Sequence, residues 1–537
     1  MTDDRPTDSA PGDPFRAGLA AGWKVIDAST LAADRKVEAD VAIVGTGAGG
    51  GTAAEILASA GLSVVMIEEG PLASSADFRM LESEAYPQLY QESAARKTKD
   101  RAINILQGRC VGGGTTVNWT SSFRTPAATL EHWRSEYGLT ELTEAGLAPW
   151  FERMEQQLGI APWVVAPNEN NEVLRRGGQA LGIHVGSIPR NVRGCWNLGY
   201  CGMGCPTNAK QSMLVTTIPA ALARGATLLT RTRAVALECS GRRAAVLDCV
   251  ALNARGTDPT ARRIAVRAKT FIAAGGAIGT PALLLRSQVP DPHGVVGKRT
   301  FLHPTVISVA RMPERVDGFS GAPQAIYSDH FLSADPSGPM GYKLEVPPIH
   351  PVLAAITLPG HGPAHARWMR ELAHMQVLIA LLRDGFHPAS PGGAVGLRED
   401  ATPVLDYPLT DYFWEGARRA FATMAEIQLA AGATEVMPVH GSGVSYRTRS
   451  EAKAGLPRLA LEPLITPVFS AHVMGGCPMG RDPRRSAVDP SGRYHHLDNV
   501  YVLDGSLFPT SIGANPQLSI YAIVAKLATA LAAALPG

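Results

Sequence analysis

Apolar and polar positions follow two different periods along this chain. Asp40-Val-Ala-Ile-Val44 is a short apolar run that stops at glycine, which predicts a buried strand. A stretch of small residues after Gly50 predicts a helix, and Ser63-Val-Val-Met-Ile67 predicts a second strand. The same core resumes at Ala226–Glu238 and runs through a β-rich stretch to Val266. Thr270-Phe-Ile-Ala-Ala274 and Asn499–Asp504 predict two more of its strands. Leu518–Leu535, interrupted by Lys526, predicts a buried helix rich in alanine. Residues about 305–464 read differently. Thr305-Val-Ile-Ser-Val-Ala310 alternates as a strand does, and Trp368–Leu382 predicts an apolar helix between proline-rich loops.

This order describes an α/β domain with a second, α+β domain inserted into it. The boundaries are 1–37 for a tail and arm and 38–304 for the first domain, with a loop-rich insertion at about 150–215. Residues 305–464 form the inserted domain, and 465–537 return to the first. A chain of 537 residues exceeds one simple core. The first 13 residues, rich in Asp, Pro, Ser and Thr, read as disordered.

Composition narrows the function classes. A net charge of +2, with no basic cluster interleaved by aromatics, argues against a nucleic-acid partner. The polar N-terminus lacks the pattern of an export signal, and no uncharged apolar run reaches membrane-spanning length. The expected location is therefore cytoplasmic, with no membrane anchor. Seven cysteines in so long a chain are not a disulfide framework.

The strand–glycine–helix segment carries the first chemistry. Gly45-x-Gly47-x-x-Gly50 lies between the two predicted strands, and the second strand ends at Glu68. This is the dinucleotide-binding βαβ fingerprint. Gly45 makes the tight turn, Gly47 lets backbone approach a pyrophosphate, and Gly50 lets helix and sheet close up. The helix N-terminus favours the anion, and Glu68 is placed to accept from a ribose hydroxyl.

Four further segments together resemble the glucose–methanol–choline (GMC) oxidoreductase family of flavoproteins. The resemblance runs from about Ala39 to the C-terminus, nearest the branch of long-chain alcohol oxidases and FAD-dependent alcohol dehydrogenases. The first segment is Gly108-Arg109-Cys-Val-Gly112-Gly113-Gly-Thr115-Thr-Val-Asn118. It resembles a family signature whose backbone cradles phosphate and whose Asn lies near the flavin. The second, Gly275-Gly276-Ala-Ile-Gly279-Thr-Pro281, resembles the family's second signature, which supports FAD from the other side. The third is His472-Val-Met-Gly-Gly-Cys477-Pro-Met-Gly480, in which His472 matches the family's catalytic base. The fourth is Asp504-Gly505 through Asn515-Pro516. There the resemblance implies that Asp504 and Gly505 contact FAD and that Asn515 is the second catalytic residue. It also implies that Pro516 begins a helix aimed at the flavin. The implied fold is a Rossmann-like FAD-binding domain with an inserted α+β substrate-binding domain.

The implied reaction is oxidation of an alcohol to an aldehyde or ketone. His472 takes the hydroxyl proton, Asn515 orients the oxygen, and FAD accepts the hydride. The acceptor that reoxidises FAD is oxygen or another electron acceptor. The apolar run Pro339–Pro359 and the stretch Met375–Leu382 suit a long-chain, terpenoid or steroid alcohol, or are simply domain core.

Cys195, Cys201 and Cys205 leave two readings open. Their C-x5-C-x3-C spacing suits an iron–sulfur cluster and resembles the 3Fe-4S site of flavin-dependent glucose dehydrogenase subunits. That alternative is a sugar or polyol dehydrogenase passing electrons to a partner subunit or cytochrome. The segment also resembles a cysteine-containing loop of the alcohol oxidase branch, which needs no metal.

Overall fold

The strand Arg35–Val44 turns at Gly45 into the helix Ala48–Ser59, and the chain returns as the parallel strand Val64–Ile67, with Val41 opposite Val64. This βαβ unit lies within an eight-stranded sheet in a computed structural model that describes residues 12–332, 335 and 338–535. Sheet order is Lys24–Asp27, Thr227–Thr230, Val64–Ile67, Arg35–Val44, Pro259–Ala273, Arg243–Leu252 and Thr232–Ser240. Val500–Val502 also pairs with Pro259–Ala273. Residues 41–43 and the strand Val64–Ile67 are buried and apolar throughout, and the helix Ala48–Ser59 packs against them. The C-terminal helix Gln517–Ala534 packs on the Ala48–Ser59 and Glu144–Leu158 helices. It is long and apolar enough to cross a membrane, yet most of it is buried in this core. Residues 1–11 of the expected disordered tail lie outside the described residues. Asp13 is ordered, and its carboxylate caps the helix Pro14–Ala20.

A second sheet forms another core. Its order is Ile103–Ile105, Val468–Ser470, Thr305–Arg311, Met375–Leu382, Tyr342–Glu345, Ile326–Ser328 and Gly186–Ser187, with Glu435–Pro438 also paired to Thr305–Arg311. The segment 368–382 departs from the expected helix. The helix Gly362–Arg370 stops early, and Met375–Leu382 is a strand buried along its whole length. The reason is its position between two packed layers. Leu378, Ala380 and Leu382 face the long helix Asp411–Ala430, whereas Met375, Val377, Ile379 and Leu381 pack into an apolar cluster on the opposite face. A strand covered on both sides has no polar alternation, so its sequence cannot be told from a buried helix by period.

Residues 150–215 are less loop-like than their sequence suggests. The helix Glu169–Ala180 inserts Val173 and Leu174 into the second core against Asp411–Ala430. A third, small sheet (Pro403–Asp406, Gly393–Leu397, Lys298–Phe301, Met474–Gly475) brings the chain just beyond His472 against Lys298–Phe301.

Candidate active site

A cavity of about 820 Å³ runs from the glycine turn to the loop carrying His472. At one end Gly45, Gly47 and Glu68 form its wall, with Gly108, Arg109, Gly113, Thr115 and Asn118 opposite. Gly275, Asp504, Gly505, Asn515 and Pro516 line the other side. Gly50 and Gly112 stand behind the wall. A Cβ on Gly50 would lie 1.9 Å from the Gly45 carbonyl oxygen, so only glycine lets helix and strand approach this closely. A Cβ on Gly47 would meet nothing nearer than Gly113 Cα at 3.9 Å, so bare backbone faces open space. The N-terminus of Ala48–Ser59 has no side-chain cap, which leaves its N–H groups and positive dipole end for an anion.

Several residues expected to touch a cofactor also hold the cavity together. Glu68 accepts from Thr46 N (3.1 Å), Thr46 Oγ1 (2.6 Å) and Gly70 N (2.9 Å). Burial pushes its carboxyl above the usual range, opposed by these bonds. Arg109 donates to Glu69 at 3.1 Å, and Asn118 donates to Gln517 at 2.7 Å. Asp504 accepts from Gly276 N (2.7 Å), Thr280 Oγ1 (2.6 Å) and Ser506 N (2.8 Å), so one buried carboxylate ties two signature segments together. Trp119 lines the same cavity, and its buried Nε1–H has no partner among the described residues. The bare glycine cradle, the uncapped helix and this orphaned donor fit a large, polar, phosphate-bearing ring cofactor such as FAD.

His472 lies on the cavity wall at the other end, with Asn515 also in the lining. Burial, reinforced by the charge of Lys343, holds the His472 pKa down to about 3, so its imidazole is neutral. Its Nδ1 is 3.3 Å from Nδ1 of His303, and Gly513 N donates to His303 Nε2 at 3.0 Å. Because Nε2 of His303 accepts, its proton is on Nδ1 and is donated to His472. The hydrogen-bond network therefore assigns the proton of neutral His472 to Nε2, which has no partner among the described residues. Asp384 fixes this geometry from behind, accepting from Leu302 N (2.8 Å) and His303 N (3.1 Å).

Asn515 is held at both ends of its amide. Lys343 Nζ donates to Oδ1 at 3.3 Å, and Nδ2 donates to Glu345 Oε2 at 3.2 Å. Lys343 and Glu345 are themselves an ion pair (3.4 Å), with side chains 4% and 0% exposed. Lys343 Nζ also lies 3.0 Å from the Phe123 ring centroid. Burial lowers Lys343 to about 8 against the pull of Glu345, and burial raises Glu345. With one N–H committed to Glu345, Asn515 Nδ2 has one hydrogen left to offer a substrate oxygen. Lys343, Glu345 and His303 escape a motif reading. The available signal for the pair was two charges spaced two apart inside the apolar run Pro339–Pro359, which puts both on one strand face.

An apolar channel with about 120 Å³ of open space reaches His472 from the second sheet. Thr305, Ile307 and Val309 line it from one strand, and Met375, Val377, Ile379 and Leu381 from the next. Leu353, Ala354, Thr357 and Leu358, in and just after the helix Pro351–Thr357, line its opposite side. Lys343 and Glu345 pair with Leu381 and Ile379, so the Asn515 clamp shares the channel's sheet face.

Of the two readings left open for Cys195, Cys201 and Cys205, the iron–sulfur one finds no support. Among the described residues no three His, Cys, Asp or Glu side chains converge as a metal-binding group. Each thiol has its own partner: Cys195 accepts from Asn197 N (3.4 Å), Cys201 from Arg190 Nη2 (3.7 Å), and Cys205 from Lys210 N (3.5 Å). Buried Lys210 fills the role of a tie, donating to the carbonyls of Thr116, Asn118 (3.0 Å) and Cys201 (2.7 Å). Its ammonium pins the cysteine loop to the cavity segment 114–118.

Known proteins share this architecture. Two family profiles described as GMC oxidoreductase match, an N-terminal one over residues 86–305 and a C-terminal one over 388–524. Long-chain-alcohol oxidase FAO1 of Arabidopsis thaliana is 29% identical over 90% of this chain and 65% of its own length. The chain thus spans slightly less than two thirds of that relative. The GMC-type oxidoreductase y4nJ of Sinorhizobium fredii, itself uncharacterized, is 30% identical over 93% of this chain and 96% of its own. Pyridoxine 4-oxidase from Mesorbium loti superposes with a TM-score of 0.67 at 19% identity, covering 91% of this chain and 98% of that one. A formate oxidase of Aspergillus oryzae gives 0.67 at 16%, covering 93% and 99%, so both share the fold. The chain belongs to the GMC oxidoreductase family.

Proposed function

We propose that this protein is an FAD-dependent oxidase or dehydrogenase of apolar alcohols, yielding an aldehyde or ketone. The observation that carries the reading is the junction at His472, where an apolar channel meets the cavity that fits FAD. The long-chain-alcohol oxidases among the relatives support the substrate class and support oxygen as acceptor.

Bound FAD supplies the hydride acceptor. Asn515 donates its free N–H to the carbinol oxygen, with Lys343 and Glu345 holding the amide in that orientation. His472 takes the hydroxyl proton at Nε2, and a positioned base of this kind contributes about 10²–10⁴-fold. In the resting network Nε2 already carries a proton. His472 becomes a base only in the opposite tautomer pair, reached when the His303 Nδ1 proton passes to His472 Nδ1 while His472 Nε2 releases its proton to water and His303 Nε2 takes one up, a change that breaks the Gly513–His303 bond. Proton uptake at His472 is thereby coupled to a backbone contact in the segment leading to Asn515.

The test is turnover of purified, FAD-loaded protein with primary alcohols of increasing length, with oxygen or a dye as acceptor. Each methylene buried in the channel is worth about 0.8 kcal/mol, or roughly four-fold in kcat/KM, until the channel is full. Flat dependence on chain length, or preference for sugar alcohols, overturns the substrate assignment.

A further inference from the structure

The segment Val346–Arg370 contains no Asp or Glu, but it contains Arg367, Arg370, three histidines and Trp368. It forms the helices Pro351–Thr357 and Gly362–Arg370, tied together by His365 Nε2 and the Ala355 carbonyl at 3.0 Å. Ala354 and Leu358 turn inward onto the apolar cluster of the second sheet. Val352 and Ile356, one turn apart, point out to solvent and are 44% and 67% exposed. Glu82 accepts from Val352 N (2.7 Å) and Leu353 N (2.9 Å), which places its neighbour Leu81, 49% exposed, beside the same helix. Arg370 is exposed and makes no ion pair among the described residues, and Arg367 is spent on Glu435 at 2.9 Å.

From these observations we infer that this two-helix segment docks on an anionic lipid surface and opens the apolar channel toward it. The chemistry is that of an interfacial helix: large aliphatic side chains outward, no carboxylate within the segment's own 25 residues, and Arg370 unpaired at its rim among the described residues. The same helix covers the channel from within and faces solvent from without, so an apolar alcohol would pass from lipid to His472 without crossing water. The inference rests on the apolar-alcohol reading for its purpose, but its binding test is independent of turnover.

The experiment compares the FAD-loaded wild-type protein with the Val352→Glu/Ile356→Glu variant. Co-sedimentation is measured with phosphatidylcholine vesicles with and without phosphatidylglycerol. Equal melting temperature and FAD content establish that the variant folds. The wild type is expected to bind the anionic vesicles more tightly than the neutral ones, and the variant at least ten-fold more weakly. Turnover of a short, water-soluble alcohol is expected to be unchanged, while turnover of a long-chain alcohol presented in vesicles falls. Absence of vesicle binding by the wild type, or equal binding by the variant, overturns the inference. So does a change in oligomeric mass in the variant without a change in vesicle binding, which makes the patch a self-association surface. If vesicle binding depends on Ile356 but no alcohol is oxidised, docking stands and the substrate reading falls.

Discussion

Replacing Lys343 by Met removes the ammonium from a pair that is almost wholly out of water. At 3.4 Å and an effective dielectric constant near 20, the lost attraction is about 5 kcal/mol. Breaking one side of a buried pair typically costs about 3–5 kcal/mol, because the remaining charge is stranded. Glu345 escapes this by taking a proton, since burial already raises its pKa. The sign of the pH effect follows. A carboxyl whose folded pKa is raised binds a proton in the folded state that the unfolded chain releases above about 4.3. Because burial raises this pKa in wild type as well, the deficit of Lys343→Met grows with pH only above the wild-type folded pKa, by up to about 1.4 kcal/mol per pH unit, until the still higher folded pKa of the variant is passed. Lys343→Met/Glu345→Gln removes both charges and is expected to recover much of the loss, a coupling that a double-mutant cycle isolates. Denaturant unfolding followed by both circular dichroism and flavin fluorescence measures it, provided the two transitions coincide. A Lys343→Met protein with the wild-type midpoint at pH 7, or a deficit that is the same at every pH, refutes the reasoning.

The same charge bears on His472. Neutral His472 is the competent form and its pKa lies near 3, so kcat/KM should stay level through pH 6.5, where an ordinary histidine would titrate, and fall only in stronger acid. A pH–rate profile with its acid limb at 6.5 would contradict this, and in Lys343→Met the limb should move upward. Converting Cys195, Cys201 and Cys205 together to Ser should leave turnover within about two-fold, since thiol hydrogen bonds are weak. Lys210→Met, which removes three buried bonds to carbonyls, should instead lower FAD occupancy; metal analysis and the visible spectrum read both variants.

The glycine turn at one end of the cavity was legible because its requirements act on single residues in order. A turn, a backbone approach and a helix–strand contact each demand glycine, and the spacing of Gly45, Gly47 and Gly50 displays all three. The C-terminal helix was equally plain, because an alanine-rich run has few other ways to be buried. Met375–Leu382 was not, because burial on both faces erases the period that separates strand from helix. For the cysteines, spacing left a shared cluster and a metal-free packed loop both open; the hydrogen bonds of the three thiols and of Lys210 add support only to the packed loop. The clamp on Asn515 depends on partners 170 and 172 residues away, a juxtaposition that only the assembled sheet creates.

The most direct test of the account is anaerobic mixing of the purified yellow protein with a long-chain alcohol while flavin absorbance is followed. The wild type should bleach. His472→Ala should hold as much FAD and bleach about 10²–10⁴-fold more slowly. Protein that folds without binding FAD, or a His472→Ala variant that bleaches as fast as wild type, would contradict it.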